Sequence, residues 1–262
     1  MEFTERLLLS LSRRPGTEDY EMGRQRWHLD TALSLLSEVF PNFLESIVGK
    51  QVLDFGCGAG YQSVALAMSK AKYVVGLDTN RRSLAKARHL AEERGVHGVE
   101  FTEKLPDHLI GTFDMVISQN SMEHFDRPAE ILDEMVRALN EDGRILITFG
   151  PPWRAPYGAH THFFTKAPWV NLLFSERTVM NVRAYFRNDG AVRYEEVEGG
   201  LNRMTVAKFE EMVLRSEMRV DYCKYDTVRG IDFLARLPLI RELFVNRISC
   251  VLSRRGDRMP TR

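Results

Sequence analysis

The chain has 262 residues, 44% hydrophobic and 27% charged, the balance of a globular protein rather than a membrane-embedded one. Lys plus Arg number 36 and Asp plus Glu also 36, so no net charge draws it to nucleic acid or another polyanion. Three widely separated cysteines, Cys57, Cys223 and Cys250, fit neither a disulfide framework nor a zinc site and point to a reducing, cytoplasmic setting.

Residues 1–48 read as a helical lid ahead of the main domain. "LLLSL" near the start follows acids and precedes no small-residue cleavage pattern, so it is expected as a short amphipathic helix, not a signal peptide. "DTALSLLSEVF" continues the helical pattern. From residue 49 to 150 strand-like and helix-like segments alternate. "QVLDF" is a strand and "YQSVALAMSK" a helix; "YVVGLD" is a strand and "RRSLAKARHLAEERG" a helix stopped at Gly95. "GVEFTE" and "FDMVISQN" are the next strands. Asp126 and Pro128 open the helix "RPAEILDEMVRAL", "NEDG" turns the chain, and "RILITFG" is the fifth strand.

Residues 151–204 break the rhythm. They are rich in Pro, Gly and aromatics, then charged and helical, and are too long for a bare loop, so they are expected as a cap inserted after strand five. The alternation resumes over 205–253, with "TVAKFEEMVLRSE" helical, "RVDYCKYDTV" a strand, "FLARLPLIRELF" an apolar helical excursion and "RISCVLS" the last strand. Residues 254–262 are expected to be a disordered tail. Apolar strands alternating with amphipathic helices imply a parallel sheet covered on both faces, a three-layer α/β fold. No apolar run has the length of a membrane span.

"QVLDFGCGAG" (51–60) places an acid at the end of an apolar strand and glycines at three alternate positions, where local stability disfavours them. In open α/β sheets ligands bind beyond the carboxyl ends of the strands, and missing side chains there let a ligand approach the backbone. A dinucleotide fingerprint, G-x-G-x-x-G, would need glycine at Tyr61, so a nicotinamide-dependent oxidoreductase is the weaker enzyme reading. The observed D-x-G-x-G-x-G resembles motif I of class I S-adenosylmethionine-dependent methyltransferases. "FDMVIS" (113–118) and "MEHFDRPAEILDEMVRALNEDGRILIT" resemble the corresponding blocks of the small-molecule and quinone-biosynthesis type. The resemblance covers residues 50–150 closely and 205–252 by topology. It implies a Rossmann-like seven-stranded, mostly parallel sheet of order 3-2-1-4-5-7-6 with the last strand antiparallel. It also implies a methyl donor, S-adenosylmethionine, and a small-molecule acceptor with O-methylation favoured. A non-catalytic regulatory module that keeps the cofactor fold stays open beside it.

The resemblance also carries the donor site onto particular residues. The N–H groups of Gly56, Cys57, Gly58 and Gly60 would serve the donor's carboxylate and Asp54 its ammonium. Asp78, at the end of strand two, would accept both ribose hydroxyls, with Thr79 and Asn80 beside the adenine. Glu103 would receive the adenine amino group, Lys104 and Leu105 packing nearby, and Gln119 and Asn120 would flank the methionine end. For Asp54 the plainer reading is a loop-ordering acid, and for Asp78 a helix N-cap.

His124 follows strand four where an acceptor would meet the methyl group, and is the candidate base. Glu123 would orient it or face the acceptor; the plainer reading of the pair is a scaffold for the following helix. In the cap, Trp153, Tyr157, His160, His162 and Phe163 suit a flat or apolar acceptor, or simply a hydrophobic lid. A metal at His160 and His162 would need a third ligand and is not expected. The acceptor could be a saccharide, a lipid-linked intermediate or a secondary metabolite. A peripheral membrane contact through "IDFLARLPLIRELF" is a minor alternative to simple packing, and the oligomeric state is left open.

Overall fold

Strand and helix alternate through the computed structural model, which describes residues 1–13, 28–197, 199–238 and 240–255. Its elements are α1 (Phe3–Ser10), α2 (Ser34–Val39), α3 (Phe43–Ser46), β1 (Gln51–Phe55), α4 (Tyr61–Met68), β2 (Tyr73–Leu77), α5 (Arg81–Glu93), β3 (Val99–Thr102), β4 (Phe113–Gln119), α6 (Pro128–Ala138), β5 (Leu139–Phe149), α7 (Val170–Leu173), α8 (Glu176–Ala184), α9 (Val206–Arg215), β6 (Met218–Thr227), α10 (Arg241–Phe244) and β7 (Val245–Arg254). The strands form one sheet of order β3-β2-β1-β4-β5-β7-β6. β7 runs antiparallel to both its neighbours and the other pairs are parallel. This is the expected Rossmann-like architecture.

Successive side chains leave a strand on opposite faces, and the core follows that rule. Leu53, Val75, Val116 and Ile145 pack against Leu132 and Met135 of α6 and Phe209 and Val213 of α9. Their neighbours Val52, Val74, Met115, Ile117 and Leu146 pack on the other face against Leu36, Phe43, Ala65 and Leu66. Helix starts follow from polar caps. The Asn80 side chain accepts the Arg82 and Ser83 N–H groups, Ser175 accepts Thr178 N–H, and Thr205 accepts Lys208 N–H.

The described residues before β1 pack in two places. α2 and α3 cover the sheet, whereas Leu8 of α1 packs among Ala159, Phe164 and Val179 of the cap. Asn181 of α8 donates to Glu5 at 2.6 Å, and Ser12 bridges to Thr165. Two segments also differ from their expected structure. "NEDG" is not a free turn: the strand already begins at Leu139, paired with Phe113, and a register shift absorbs residues 140–143 before Arg144 pairs with Met115. The apolar excursion near 233–244 is not one helix. Pro238 disfavours helical backbone at Leu237 (ψ 101°), leaving a 3-10 turn at Asp232–Arg236 and the four-residue α10. Buried Glu242 of α10 then accepts the N–H groups of Val206 and Ala207, at 3.2 and 2.7 Å, and closes the start of α9. The tail, from residue 256 onward, lies outside the described residues.

Candidate active site

Strand order reverses between β1 and β4, and the loops leaving their carboxyl ends face one another there. The β1 loop turns through three glycines of positive φ, Gly56 (84°), Gly58 (53°) and Gly60 (79°). Only Gly58 faces open space. A Cβ on Gly56 would lie 2.6 Å from Ser121 Oγ, and one on Gly60 would lie 2.5 Å from Ala87 Cβ and 2.9 Å from the Phe101 ring. Two of the three glycines therefore answer to protein packing and not to ligand approach. Gly60→Ala should lower folding stability by about 2 kcal/mol, since backbone, Ala87 and Phe101 must all shift. Gly58→Ala should cost about 1 kcal/mol, for its left-handed backbone alone. Chemical denaturation of the two variants checks the contrast, and equal losses would refute it.

The loop N–H groups are not waiting for a ligand carboxylate either. Gly56 and Cys57 donate to Leu77 O, Gly60 donates to Cys57 O, and Gly58 donates to Asp78 Oδ2 at 2.8 Å. Cys57 turns its side chain into a cluster with Val64, Leu84 and Ala87, where burial pushes its thiol well up. These positions shape the loop rather than grip a carboxylate.

Asp54 is 2% exposed and accepts from Gln62 Nε2 at 2.7 Å and Ser63 Oγ at 2.6 Å, both in the first turn of α4. Burial pushes its carboxyl up to about 6 against the pull of those two donors, with nearby Asp78 adding to the rise. Asp54 thus orders the loop, while Oε1 of Gln62 beside it is buried and unpartnered. Asp78 is half-buried at the end of β2 and also accepts Asn80 N–H at 2.7 Å. Thr79 is exposed, and Asn80 rather than Asp78 is the N-cap of α5.

After β3 the placements are less favourable. Glu103 is exposed and paired with Arg81 at 2.8 Å, a surface pair that competes with any adenine contact. Lys104 is exposed and Leu105 packs against the main core. At the end of β4, Gln119 keeps a buried, unpartnered Oε1, and Asn120 adopts a left-handed backbone (φ 51°) with its N–H on Thr148 O.

The loop after β4 is held from the cap. Asn202 donates its side-chain amide to Met122 O at 2.8 Å and Phe125 O at 2.7 Å, and its N–H to Glu123 O. His124 Nδ1 lies 2.6 Å from Gly200 O. A carbonyl oxygen only accepts, so Nδ1 carries the proton and neutral His124 keeps its lone pair on Nε2. Glu123 does not fix this tautomer: it is buried, and its Oε1 accepts Gly150 N–H at 3.2 Å. Its expected role as orienting acid passes to the Gly200 carbonyl. Neither Gly200 nor Asn202 is legible as a site residue in sequence; each works through geometry across about eighty residues.

Against His124 lies a cavity of about 260 Å³ in the cap. His160 and Phe163 line it, the His160 ring edge-on to His124 at 5.4 Å. The other expected acceptor residues do not. Trp153 packs edge-on against Tyr194 at 4.8 Å, with Arg203 over its ring, and Tyr157 meets exposed His162 at a tilt of 46°, ring centres 3.9 Å apart. Thr161, Arg183, Arg187 and Tyr194, which carry no motif, line the cavity instead. Among the described residues no group of three or more His, Cys, Asp or Glu could hold a metal.

Residues 47–151 match the family model described as Methyltransferase domain. Over this segment the chain is similar to methyltransferase domains. The chain also aligns with curated relatives. The ubiquinone biosynthesis O-methyltransferase of Neisseria meningitidis is 32% identical over 106 residues, covering 39% of this chain and 44% of that protein. The namesake of Pseudomonas aeruginosa is 30% identical over 132 residues, 47% of this chain and 56% of the other. The chain spans about half the length of these relatives. Magnesium protoporphyrin IX methyltransferase of Synechocystis PCC 6803, solved with bound SAH, shares the fold across 97% of this chain and 94% of its own. Its TM-score is 0.55 and its identity 16%. The donor of this domain class is S-adenosylmethionine, and the residues present fit it: open space at Gly58, acceptor-only Asp78, and unpartnered Gln62 Oε1 and Gln119 Oε1.

Proposed function

We propose that this protein transfers a methyl group from S-adenosylmethionine to an oxygen of a small-molecule acceptor, with His124 as the general base. The observation that carries the reading is the Nδ1–Gly200 contact, which leaves Nε2 of His124 as the proton acceptor beside the cap cavity. Bound, the donor supplies an electrophilic methyl group on a positively charged sulfur. Asp78 would hold its ribose hydroxyls, Gly58 would let it lie against the backbone, and the unpartnered Gln119 Oε1 and Gln62 Oε1 would accept from its ammonium, with Asp54 behind Gln62. His124 Nε2 takes the acceptor's hydroxyl proton as the oxygen is methylated. The O-methyltransferase names of the relatives support the target atom.

A cavity of about 260 Å³ holds roughly nine waters' worth of liquid volume. That suits a compact acceptor such as a monosaccharide or a single ring, and a lipid-linked acceptor would insert only its head. Among the described residues no helix is long and apolar enough to cross a membrane. We place the protein in the cytoplasm, because three widely separated cysteines fit neither a disulfide framework nor a zinc site.

Calorimetry with S-adenosylhomocysteine and with NADH tests the donor. Heat with the nicotinamide and none with the homocysteine analogue would reverse the reading. Asp78→Asn should weaken S-adenosylhomocysteine about tenfold, since a carboxylate's charge-assisted bonds are exchanged for neutral ones. Tight donor binding with no label transferred to any acceptor pool would leave a binding module and no enzyme.

A further inference from the structure

Two hydroxyls line the cap cavity without a hydrogen-bond partner among the described residues, Tyr194 Oη and Thr161 Oγ1. Both side chains are buried, Tyr194 3% exposed and Thr161 2%. Folding ordinarily pairs such groups, because a hydroxyl taken out of water recovers its loss only from a new partner.

The rest of each residue is firmly held. Tyr194 N–H donates to Glu176 Oε1 at 2.8 Å, Trp153 packs edge-on against the ring, and the Arg203 guanidinium lies 5.7 Å from its centre. The Thr161 carbonyl accepts the N–H groups of Phe164 and Thr165, both at 3.0 Å. Ring and turn are thus fixed by the protein, and the two hydroxyls alone are left to a guest. Burial, with Glu176 nearby, pushes the Tyr194 hydroxyl well up, so it stays protonated. Each hydroxyl can therefore both donate and accept.

The wall sets no unspent charge beside them. Arg183 is 4% exposed and gives its fork to Asp189, at 2.6 and 2.5 Å. Arg187 is exposed and already engaged, its guanidinium 5.0 Å from the Phe163 ring centre. Val179, Val197 and Leu201 add only apolar surface. A charged guest would exchange its hydration for neutral hydroxyls and hydrocarbon, whereas an uncharged guest with hydroxyls of its own matches both.

Resting on the proposed transfer, we propose that Tyr194 and Thr161 select the acceptor. It is a compact, uncharged compound with hydroxyls beyond the one methylated. Those further hydroxyls bond Tyr194 Oη and Thr161 Oγ1, and the reacting one meets His124. Tyr194 and Thr161 orient the acceptor and take no part in the proton transfer. Water filling the cavity beforehand yields without loss only to a group that remakes its bonds, so a methyl in place of a guest hydroxyl is rejected.

The test titrates the protein, saturated with S-adenosylhomocysteine at neutral pH, with three uncharged probes of like shape. They are phloroglucinol, orcinol, in which a methyl replaces one hydroxyl, and symmetric dimethylphenol, in which methyls replace two. Phloroglucinol should bind about tenfold tighter than the dimethylphenol, with orcinol between them. Tyr194→Phe and Thr161→Val should each narrow that gap several-fold and together abolish it, with S-adenosylhomocysteine affinity unchanged. Melting temperature should hold or rise in both, since each removes a buried hydroxyl that pairs with nothing. A dimethylphenol that binds the wild type as well as phloroglucinol would overturn the proposal. So would a gap that survives both substitutions, a fall in melting temperature from a hydroxyl paired within the protein, or probes that all fail while S-adenosylhomocysteine binds. Failure of S-adenosylhomocysteine itself would remove the donor reading first and this inference with it.

Discussion

Asp54→Asn should make the protein more stable at neutral pH, by as much as about 3 kcal/mol, and a poorer binder of its donor. The sign follows from a carboxyl whose folded value, about 6, lies above its ordinary 3.8. Below 3.8 both folded and unfolded chains hold the proton and nothing is lost. Between 3.8 and 6 the unfolded chain releases it while the folded chain keeps it, so stability falls as pH rises through this window. Above 6 the folded protein carries a buried charge, and the full cost is present. Asparagine carries no such cost. It can accept from Ser63, and a turned Gln62 amide can offer its unpartnered Oε1 to the new NH₂. Chemical denaturation of both proteins from pH 4 to pH 8 should give a falling curve for the wild type and a flat one for the variant. If the wild-type curve is also flat, the buried acid is not what the geometry says. The same proton links to the donor. Its ammonium favours the ionised carboxylate, so wild-type affinity should drop as pH falls below about 6, and that dependence should vanish in Asp54→Asn.

Replacing His124 with alanine should lower turnover by roughly 10²–10⁴-fold, the range a positioned base supplies, without weakening S-adenosylhomocysteine. The imidazole has two separable jobs. Nδ1 holds the Gly200 carbonyl, and Nε2 is left with the lone pair that the proposed transfer uses. His124→Gln can keep the first through its amide N–H while removing the base, so it should restore any melting temperature lost in His124→Ala but not the rate. Rapid-quench measurement of a single turnover, with acceptor and labelled donor both saturating, separates the two jobs. A glutamine variant with near-normal turnover would show that positioning alone drives the transfer, and would demote His124 to scaffold.

The sheet and the loop after β1 are largely legible in the sequence because their signals are local. Val52–Leu53, Val74–Val75 and Val116–Ile117 are short apolar runs, and Asp54 and Asp78 each end such a run, so type and position could be read together. What the glycines do was not legible. Gly60 meets Ala87 and Phe101, and Gly56 meets Ser121, contacts made between elements far apart in the chain. The cap resisted for the same reason. Trp153 and Tyr157 have the chemistry of a ligand wall, but only packing decides that Trp153 supports Tyr194 from behind while Thr161 and Arg187 face the cavity. Glu242 is the plainest case: a charged residue in an apolar helical stretch, it caps a helix that begins thirty-six residues earlier.

The docking of α1 on the cap bears on how the chain reaches this form. Leu8 is synthesised before any of the sheet, yet its neighbours Ala159, Phe164 and Val179 follow 151 to 171 residues later. During vectorial synthesis, α1 must wait unpaired while the strands β1 to β5 assemble, and the closure of so wide a loop falls late. A helix made before the sheet is thus settled only after it.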